Sequence, residues 1–168
     1  MPMKTLKLRP ATGDDFAYIY GLCEATMRAY VEIDLGDRFE QIARPTIENL
    51  PRCDLFSKIY VDEVLVGALA FERHETHIQL EELYIEPSRQ NQGVGTMVVA
   101  RLVEQSSSLC LPIRLHVLAS NDARFFYEKR GFSLTRSTKE VNFMEYCPSN
   151  VVVVILPSSG TAKAGRSC

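Results

Sequence analysis

Cysteine is sparse in this chain and follows no disulfide or metal-binding pattern. The five cysteines are Cys23, Cys53, Cys110, Cys147 and Cys168. Because they are odd in number, widely spread and free of any C-x-x-C pair, neither a disulfide framework nor a zinc knuckle is indicated. His74 and His77 have an H-x-x-H spacing, but on a strand they would face opposite sides, with no acidic or cysteine ligand spaced with them. The sequence therefore favours a reducing compartment and predicts no metal site.

The chain also lacks a block of positive charge and a long apolar run. Its 19 Lys and Arg residues against 21 Asp and Glu residues give a net charge of −2. This balance argues against nucleic acid or an anionic membrane as the partner. No apolar run approaches the roughly 18 residues of a membrane span, and residues 1–10 alternate polar and apolar positions instead of forming a signal core. We therefore expect a cytoplasmic protein that binds a small molecule.

What the chain does contain is enough apolar material for one core. Hydrophobic residues make up 46% and charged residues 24% of its 168 residues, which are ordinary globular values. We predict one domain over residues 1–149. Residues 150–168 are expected to form a possible extra strand at 151–156 and a disordered tail. If that strand were exposed at a sheet edge, it would allow a homodimer to form.

Hydrophobic periodicity predicts a mixed α+β domain. A first strand at 4–9 is followed by a helix that begins near Asp14, and by a second helix near Asp37 that Pro45 should stop or kink. Asp62 and Glu63 form the turn between strands at 56–61 and 64–71. The remaining elements are predicted as a strand at 77–85, a helix at 93–107, a strand at 113–118, a helix at 121–129, and strands at 132–135 and 141–146.

The stretch 80–96 carries the first chemical signal, because a strand passes through a polar, glycine-bearing loop directly into a helix. A junction of this kind aims free backbone N–H groups and the positive end of the helix dipole at one point, which suits an anion. Gly93 and Gly95 would let a ligand approach the backbone closely. The run matches neither a dinucleotide fingerprint nor a P-loop, so alone it is weak.

A second motif lies at residues 115–132, and the two motifs together are a specific signal where the first alone is weak. A predicted strand is followed, in this order, by Asn121, Ala123, Phe126, Tyr127, Glu128-Lys129 and Gly131-Phe132. In this order the motif resembles the GNAT superfamily of N-acetyltransferases, and Gln90-Asn91-Gln92-Gly93-Val94-Gly95 matches that family's Q/R-x-x-G-x-G/A acyl-CoA motif. The resemblance covers residues 6–144 and implies a mainly antiparallel central sheet, splayed in a V and flanked by helices.

The resemblance implies acetyl-CoA as co-substrate and assigns residues to it. Backbone amides would cradle the pyrophosphate at Gln90, Asn91, Gln92, Gly93, Val94, Gly95 and Thr96. The pantetheine arm would run beside Leu83, Tyr84 and Ile85 into the V, where the N–H near Ile85 polarises the thioester carbonyl. Asn121 would hold the arm, and Tyr127 would protonate the departing thiolate. Arg89, Arg124 and Lys129 are further candidates for neutralising the CoA phosphates.

The general base is less certain on sequence alone. An amine with a pKa near ~10.4 must lose a proton before it attacks a thioester, and Glu81 and Glu82 lie on the strand beside the carbonyl. Successive strand residues face opposite sides, so only one of them can point into the site. Glu81 is preferred because the family often carries an acidic residue there. Gln79 occupies another position where relatives keep a catalytic Glu, and it cannot take a proton.

The acceptor is an amine whose identity the sequence leaves open: a small amine, an amino acid, an aminoglycoside-like compound or a protein amine. In the family the first helix, the 30–54 segment and the last hairpin form its wall, which offers Met27, Tyr30, Phe39 and Phe126 as apolar contacts and Glu32, Asp34 and Asp37 as an acidic rim. His116 is expected to be a buried or rim histidine. A non-catalytic CoA-binding sensor is the alternative function, although it would have no need of the Tyr127 phenol.

Overall fold

The computed structural model describes residues 4–48 and 55–149, which form one seven-stranded sheet with helices on both faces. The sheet order is β1-β2-β3-β4-β5-β7-β6, and every neighbouring pair is antiparallel except β4 and β5. The elements are β1 Leu6–Pro10, α1 Phe16–Leu35, α2 Phe39–Glu48, β2 Phe56–Val61, β3 Val64–Arg73, β4 Ile78–Ile85, α3 Val94–Leu109, β5 Ile113–Leu118, α4 Ala123–Glu128, β6 Ser133–Ser137 and β7 Val141–Tyr146. This mixed architecture confirms the predicted fold class.

Two apolar layers enclose the sheet. One buries the α3 side chains Val98, Val99 and Leu102 against the sheet, together with residues of α4. The other packs α1 and α2 on the opposite face, with Ile19 and Phe39 each 1% exposed. Burying a side chain of this size contributes about 1.5–3 kcal/mol, so these layers hold the helices that frame the site. Within the described residues, no helix has both the length and the hydropathy needed to cross a bilayer.

The sheet opens between its two central strands. β4 and β5 run parallel and pair only at Ile78 with Ile113 and at Gln79 with Arg114. Beyond this point each strand stays paired with its outer neighbour, β3 or β7, and the two halves of the sheet diverge. The result is a V-shaped split that leaves facing backbone edges of β4 and β5 without a strand partner. This is the split that the family resemblance implies.

A bulge in β4 decides which side chains face the split. Phe71 of β3 lies opposite Leu80 and Ala70 lies opposite Glu82, so Glu81 is an extra residue. One inserted residue reverses the alternation of a strand, because successive side chains face opposite sides of a sheet. Leu80 therefore joins the α3 layer, whereas Tyr84 joins the α1 and α2 layer. Glu82, two residues before Tyr84, faces the same side as that tyrosine.

Several local predictions are confirmed by the structure and others need correction. The turn at Asp62 and Glu63 has φ values of 50° and 65°, as a two-residue hairpin turn of the I′ type requires. Pro45 does not stop α2, which continues to Glu48 because Phe39 and Ala43 bury one face of the helix. The extra strand at 151–156 lies outside the described residues.

The two histidines of the H-x-x-H pair do not lie on opposite faces. They belong to the turn between β3 and β4, where the backbone N–H of His74 donates to the carbonyl of His77 at 2.8 Å. Their rings stack with centroids 4.7 Å apart. The sequence prediction was wrong because it extended β4 through a position that the chain uses to reverse direction.

Candidate active site

The loop before α3 presents unpaired backbone N–H groups toward the split. The first hydrogen bond of α3 runs from the N–H of Met97 to the carbonyl of Gly93 at 3.0 Å, so the N–H groups of the first turn have no partner within the helix. Gly93 has φ 84° and Asn91 has φ 59°, and these left-handed residues turn the chain sharply into the helix. No acidic residue occupies the first turn. The junction is therefore an electropositive cradle for an anion.

Side chains of the loop brace the cradle from behind. The Gln90 side-chain amide donates to the Ile85 carbonyl at 3.1 Å, and the Gln92 amide donates to the Ser88 carbonyl at 2.8 Å. Lys4 Nζ donates to the Gln92 carbonyl at 3.1 Å. These bonds use carbonyl groups of the loop. The Gln90 N–H already donates to the Glu86 carbonyl at 3.1 Å, so the predicted place of this amide in the cradle needs correction. The N–H groups from Asn91 to Thr96 remain for a ligand. The glutamines of the motif thus position backbone groups through their side chains.

A groove of about 820 Å³ begins at this cradle and runs along the split. That volume lies within the ~300–1,000 Å³ typical of ligand sites. Its described lining comes from α1, β4, the loop, α3 and α4: Ala25, Thr26, Met27, Ala29, Tyr30, Leu83, Ile85, Pro87, Arg89, Gln90, Asn91, Gly93, Val94, Gly95, Thr96, Asn121, Asp122, Ala123, Phe126, Tyr127 and Arg130. Most residues that the sequence assigned to CoA therefore lie around one groove. Two do not: the Tyr84 side chain is buried in the α1–α2 layer, because the β4 bulge turns it to that face, and Gln92 is not among the residues that line the groove.

The basic residues of the groove differ from those predicted. Arg89 lines it, but Arg124 and Lys129 do not, and Arg124 instead pairs with Glu128 at 2.7 Å along α4. Arg130, which sequence reasoning passed over, takes their place. Its guanidinium carbon lies 3.6 Å from the centre of the Phe126 ring, and one nitrogen donates to the Thr96 hydroxyl. A second nitrogen donates to the Phe126 carbonyl at 2.5 Å, so the described contacts hold the guanidinium at the groove, where Arg130 is a lining residue.

Gly95 serves packing as well as ligand approach. A Cβ built at Gly95 would lie 3.1 Å from Cζ of Phe126, which is closer than an ordinary van der Waals contact. The missing side chain therefore lets α4 pack against the first turn of α3. Sequence reasoning assigned this glycine to ligand approach alone because the partner ring lies 31 positions away in the chain and belongs to another helix.

The edge of β4 that faces the split carries free amides. The N–H of Glu86 donates to the Val66 carbonyl of β3 at 2.9 Å. In an antiparallel pair alternate N–H groups point the same way, so those of Leu83 and Ile85 point away from β3 and into the split. Gly67 permits this close pairing, because a Cβ there would lie 2.2 Å from the Tyr84 carbonyl oxygen. The glycine gave no sequence signal, since only the β3–β4 register reveals the contact.

Tyr127 lies at the junction between this groove and a second cavity, since it lines both. Its side chain is 7% exposed and packs edge-on against Phe126 and Phe132, with ring centroids 5.0 and 5.4 Å away. Burial raises the pKa of the phenol above its ordinary value, the Glu82 carboxylate raises it further, and Arg130 opposes the shift. Tyr127 is therefore protonated at neutral pH and remains able to donate its proton.

Asn121 also lines both cavities, at the loop between β5 and α4. Its Oδ1 accepts the N–H of Ala123 at 2.8 Å, and its Nδ2 lies 3.9 Å from the sulfur of Met27. Asp34 holds the same loop to α1 by accepting the N–H and the hydroxyl of Ser120 at 2.9 and 2.8 Å. The Asn121 oxygen is thus occupied, and its amide nitrogen is the group aimed at the split.

The two candidate bases have different surroundings. Glu82 follows the bulge and faces the second cavity, where burial raises the pKa of its carboxyl to about 7. A hydrogen bond from Tyr84 limits that rise, and the charge of Glu81 adds to it. Glu81 also borders the cavity, but its side chain is exposed. A carboxyl with a pKa close to 7 is suited to proton exchange at neutral pH, so the geometry favours Glu82 over the residue preferred from sequence.

The second cavity, which we call the acceptor cavity, has a volume of about 250 Å³ and lies between the sheet and the α1–α2 layer. Its described lining comprises Cys23, Met27, Val31, Leu35, Phe39, Ile42, Ala43, Leu80, Glu81, Glu82, Leu83, Tyr84, Leu115, His116, Val117, Leu118, Asn121, Ala123, Tyr127 and Val141. His116 is exposed and lies at its rim.

The predicted acceptor wall is only partly correct. Met27 and Phe39 line the acceptor cavity, whereas Tyr30 and Phe126 line the groove. None of the three acids of the expected rim lines the acceptor cavity. Asp34 binds Ser120, Glu32 lies 3.6 Å from Arg28 on the outer surface of α1, and Asp37 is exposed after that helix. The cavity receives the inner face of α1, and each of the three acids lies elsewhere.

Comparison with known proteins agrees with this geometry. A model of the GNAT acetyltransferase family matches residues 19–132, which is more than half of the sequence. The chain therefore belongs to the GNAT acetyltransferase family. The comparison with curated proteins returned no match.

Solved structures share the fold at low sequence identity. The PaiA N-acetyltransferase of Thermoplasma acidophilum, solved in complex with coenzyme A, is 18% identical over 85% of this chain and 99% of its own, with a TM-score of 0.64. Ard1 of Thermoplasma volcanium is also 18% identical, over 85% and 97% of the two chains, with a TM-score of 0.65. An acetyltransferase of Thermus thermophilus is 17% identical over 85% and 97%, with a TM-score of 0.66.

Proposed function

We propose that this chain transfers the acetyl group of acetyl-CoA directly to a primary amine. The observation that carries the proposal is the position of Tyr127, a buried and protonated phenol between an anion-binding groove and a separate cavity that contains a carboxylate of raised pKa. A CoA-binding module would require the groove alone. The combination of a groove, a proton donor and a base is the set that acyl transfer to an amine requires.

Acetyl-CoA fits the groove by charge and by shape. The loop amides from Asn91 to Thr96 and the dipole of α3 would receive the pyrophosphate, and Arg89 and Arg130 add positive charge. The pantetheine arm would follow the free edge of β4, with its amides bonded by the N–H and carbonyl groups that face the split. Asn121 would hold the arm from the opposite side through its amide nitrogen.

Transfer begins with the amine. The Glu82 carboxylate takes a proton from the ammonium, and the nitrogen lone pair attacks the thioester carbonyl carbon to form a C–N bond. The N–H of Ile85, which points into the split, would stabilise the resulting oxyanion. The carbonyl then re-forms and the C–S bond breaks, while the Tyr127 hydroxyl protonates the sulfur. The second proton on the nitrogen returns to the phenolate, so the products are the amide, free CoA and one proton on Glu82.

Replacing Tyr127 with phenylalanine tests this assignment. The ring and its packing remain, so CoA affinity, measured by calorimetry, should change less than about twofold. Loss of the general acid should lower kcat by about 10²–10³. Phe132→Leu, in the same aromatic cluster, is the packing control and should weaken stability more than turnover. If Tyr127→Phe lost CoA affinity with unchanged turnover, the proposed role would be wrong. A wild-type chain that binds CoA yet acetylates no amine would be a sensor.

A further inference from the structure

We propose that the acceptor is a compact primary amine on an apolar alkyl or aryl body. This inference rests on the proposed function and assigns both ends of the substrate. The ammonium would pair with Glu82, and the body would extend into the acceptor cavity toward α1 and α2. Among the acceptors that the sequence left open, this selects the small apolar amine over polyamines, aminoglycosides and peptide amines.

The polarity of the acceptor cavity is divided between its two sides. Every described residue that α1 and α2 contribute is apolar apart from the buried thiol of Cys23, and Met27, Val31 and Phe39 are representative. The carboxylates lie opposite, on β4. Because apolar surface gains about 25 cal/mol per Å² when it leaves water, this wall selects an apolar body. Apart from the Cys23 thiol, the described side chains of this wall offer a polar body no hydrogen-bond partner in exchange for those lost with water.

The charges that border the cavity lie at the sheet side and at the rim. Among its described lining residues the acidic ones are Glu81 and Glu82, and His116 at the rim is the basic candidate. The one partly buried carboxylate, that of Glu82, matches one ammonium. A second ammonium, as in a diamine or an aminoglycoside, would have to lie against the α1–α2 wall without a partner. An unpaired charge that leaves water is costly, so such acceptors are strongly disfavoured.

The size of the cavity sets an upper limit on the acceptor. Its volume of about 250 Å³ falls below the ~300–1,000 Å³ of sites that hold drug-sized ligands. A phenylethylamine or a six-carbon alkylamine is of suitable size, whereas a peptide would have to leave its backbone outside. An extended acyl chain on CoA is the other apolar group that could enter. The partly buried carboxylate of Glu82 argues against it, because a hydrocarbon chain would desolvate this group further without neutralising it.

Two amines of equal heavy-atom count make the test sharp. Release of CoA thiol would be measured with n-hexylamine and with 1,5-diaminopentane, which differ in a terminal methyl or ammonium group. We expect kcat/KM to be at least about 30-fold higher for hexylamine, because the terminal ammonium has no partner at the α1–α2 wall. 2-Phenylethylamine, an N-terminal peptide and an aminoglycoside complete the panel, and octanoyl-CoA is compared with acetyl-CoA as donor.

Substitutions in the acceptor cavity test whether a preference among amines arises at this site. Ala43 is 4% exposed on the cavity side of α2, and Ala43→Leu should raise KM for 2-phenylethylamine about tenfold and KM for the smaller ethylamine far less, with Kd for CoA unchanged. Gln41→Leu, on the exposed side of the same helix, is the matched control. Val31→Ala removes two methyl groups from the α1 side of the cavity and should raise kcat/KM for bulkier amines. This gives a second readout if Ala43→Leu folds poorly. Thermal melting of each variant monitors folding.

The possible outcomes distinguish failure of the apolar-amine proposal from failure of the proposed acetyltransferase function. Preference for hexylamine that responds to both cavity variants supports the apolar-amine class. Equal or better use of diaminopentane, of the peptide or of the aminoglycoside would overturn the class while the transferase stands. Faster transfer from octanoyl-CoA that Ala43→Leu removes would assign the cavity to the acyl chain and also overturn it. Failure of every amine would instead reject the proposed function.

Discussion

The groove and the acceptor cavity meet at Tyr127, yet they are built in different ways. The groove starts at one continuous stretch of chain, the end of β4 through the first turn of α3, and recognition there uses mainly backbone groups. The acceptor cavity collects single side chains from α1, α2, β4, β5 and β7. Backbone cradles require particular glycines and turns at fixed spacing, so they leave a motif. A cavity of dispersed side chains leaves none, which is why the donor could be inferred from sequence and the acceptor could not.

The largest expected effect separates the chemistry of the cavity from binding in the groove. Glu82→Gln should lower kcat/KM about 10²–10³-fold, because an amide cannot accept the amine proton. Wild-type kcat/KM should rise with pH through about 7, since the base works only when deprotonated and burial raises the pKa of Glu82 to about 7. The variant should lack that inflection and keep its affinity for CoA.

Glu81→Gln is the matched control for this experiment. The exposed Glu81 contributes charge near the site but does not face it as Glu82 does, so we expect a change in kcat/KM of less than about threefold. Initial rates of thiol release between pH 5.5 and 9 measure both variants. If Glu81→Gln showed the larger loss, the base would be Glu81 and the bulge would not have the role described above.

The next effect should fall on the groove. Arg130→Met keeps an unbranched side chain over Phe126 but removes the charge at the groove, so Kd for CoA should rise about tenfold. Raising the salt concentration should weaken CoA binding less in the variant than in the wild type. Arg124→Met is the matched control. Arg124 also belongs to α4, but it pairs with Glu128 outside the groove, so its replacement should leave Kd for CoA unchanged. Equal losses in the two variants would mean that only net charge matters.

A smaller effect on the same side tests how α3 and α4 fit together. Gly95→Ala should raise Kd for CoA about three- to fivefold, because the new Cβ forces the Phe126 ring to move. Gly21→Ala, on α1 with open space around its Cβ position, should instead raise the free energy of unfolding by about 0.5–1 kcal/mol and leave CoA binding unchanged. Titration calorimetry and denaturant unfolding would measure the pair. If Gly95→Ala bound CoA with unchanged affinity, the close contact between Gly95 and Phe126 would not matter for the groove.

The smallest effect concerns the environment of the base. The Tyr84 hydroxyl lowers the pKa of Glu82 from the value that burial alone would set. Tyr84→Phe should therefore move the inflection of kcat/KM toward higher pH, by about half a unit to one unit, with little change in the plateau rate at high pH. Tyr20→Phe, which removes a hydroxyl bonded to the surface residue Glu40, is the control and should not move it. A shift toward lower pH would contradict the assigned hydrogen bond.

The agreement between sequence and structure follows the range of the interactions involved. Strand periodicity identified β5 and β7 at their observed boundaries, and the turn residues of the β2–β3 hairpin identified its geometry. Local rules failed where a distant contact decided the outcome. Pro45 lies within α2 because the buried face of that helix packs against α1. Glu82 faces the acceptor cavity because a bulge, visible only in the pairing with β3, reverses the alternation of β4.

The sequence by itself determined what short-range physics can encode: the order of strands and helices, the anion-binding loop at the start of α3, and the family to which its two motifs point. The tertiary structure decided which carboxylate enters the site, which arginine reaches the groove and what the α1–α2 wall offers an acceptor. The physical reason is that a backbone cradle is formed by neighbours in the chain, whereas desolvation, pKa and cavity shape depend on residues that only folding brings together.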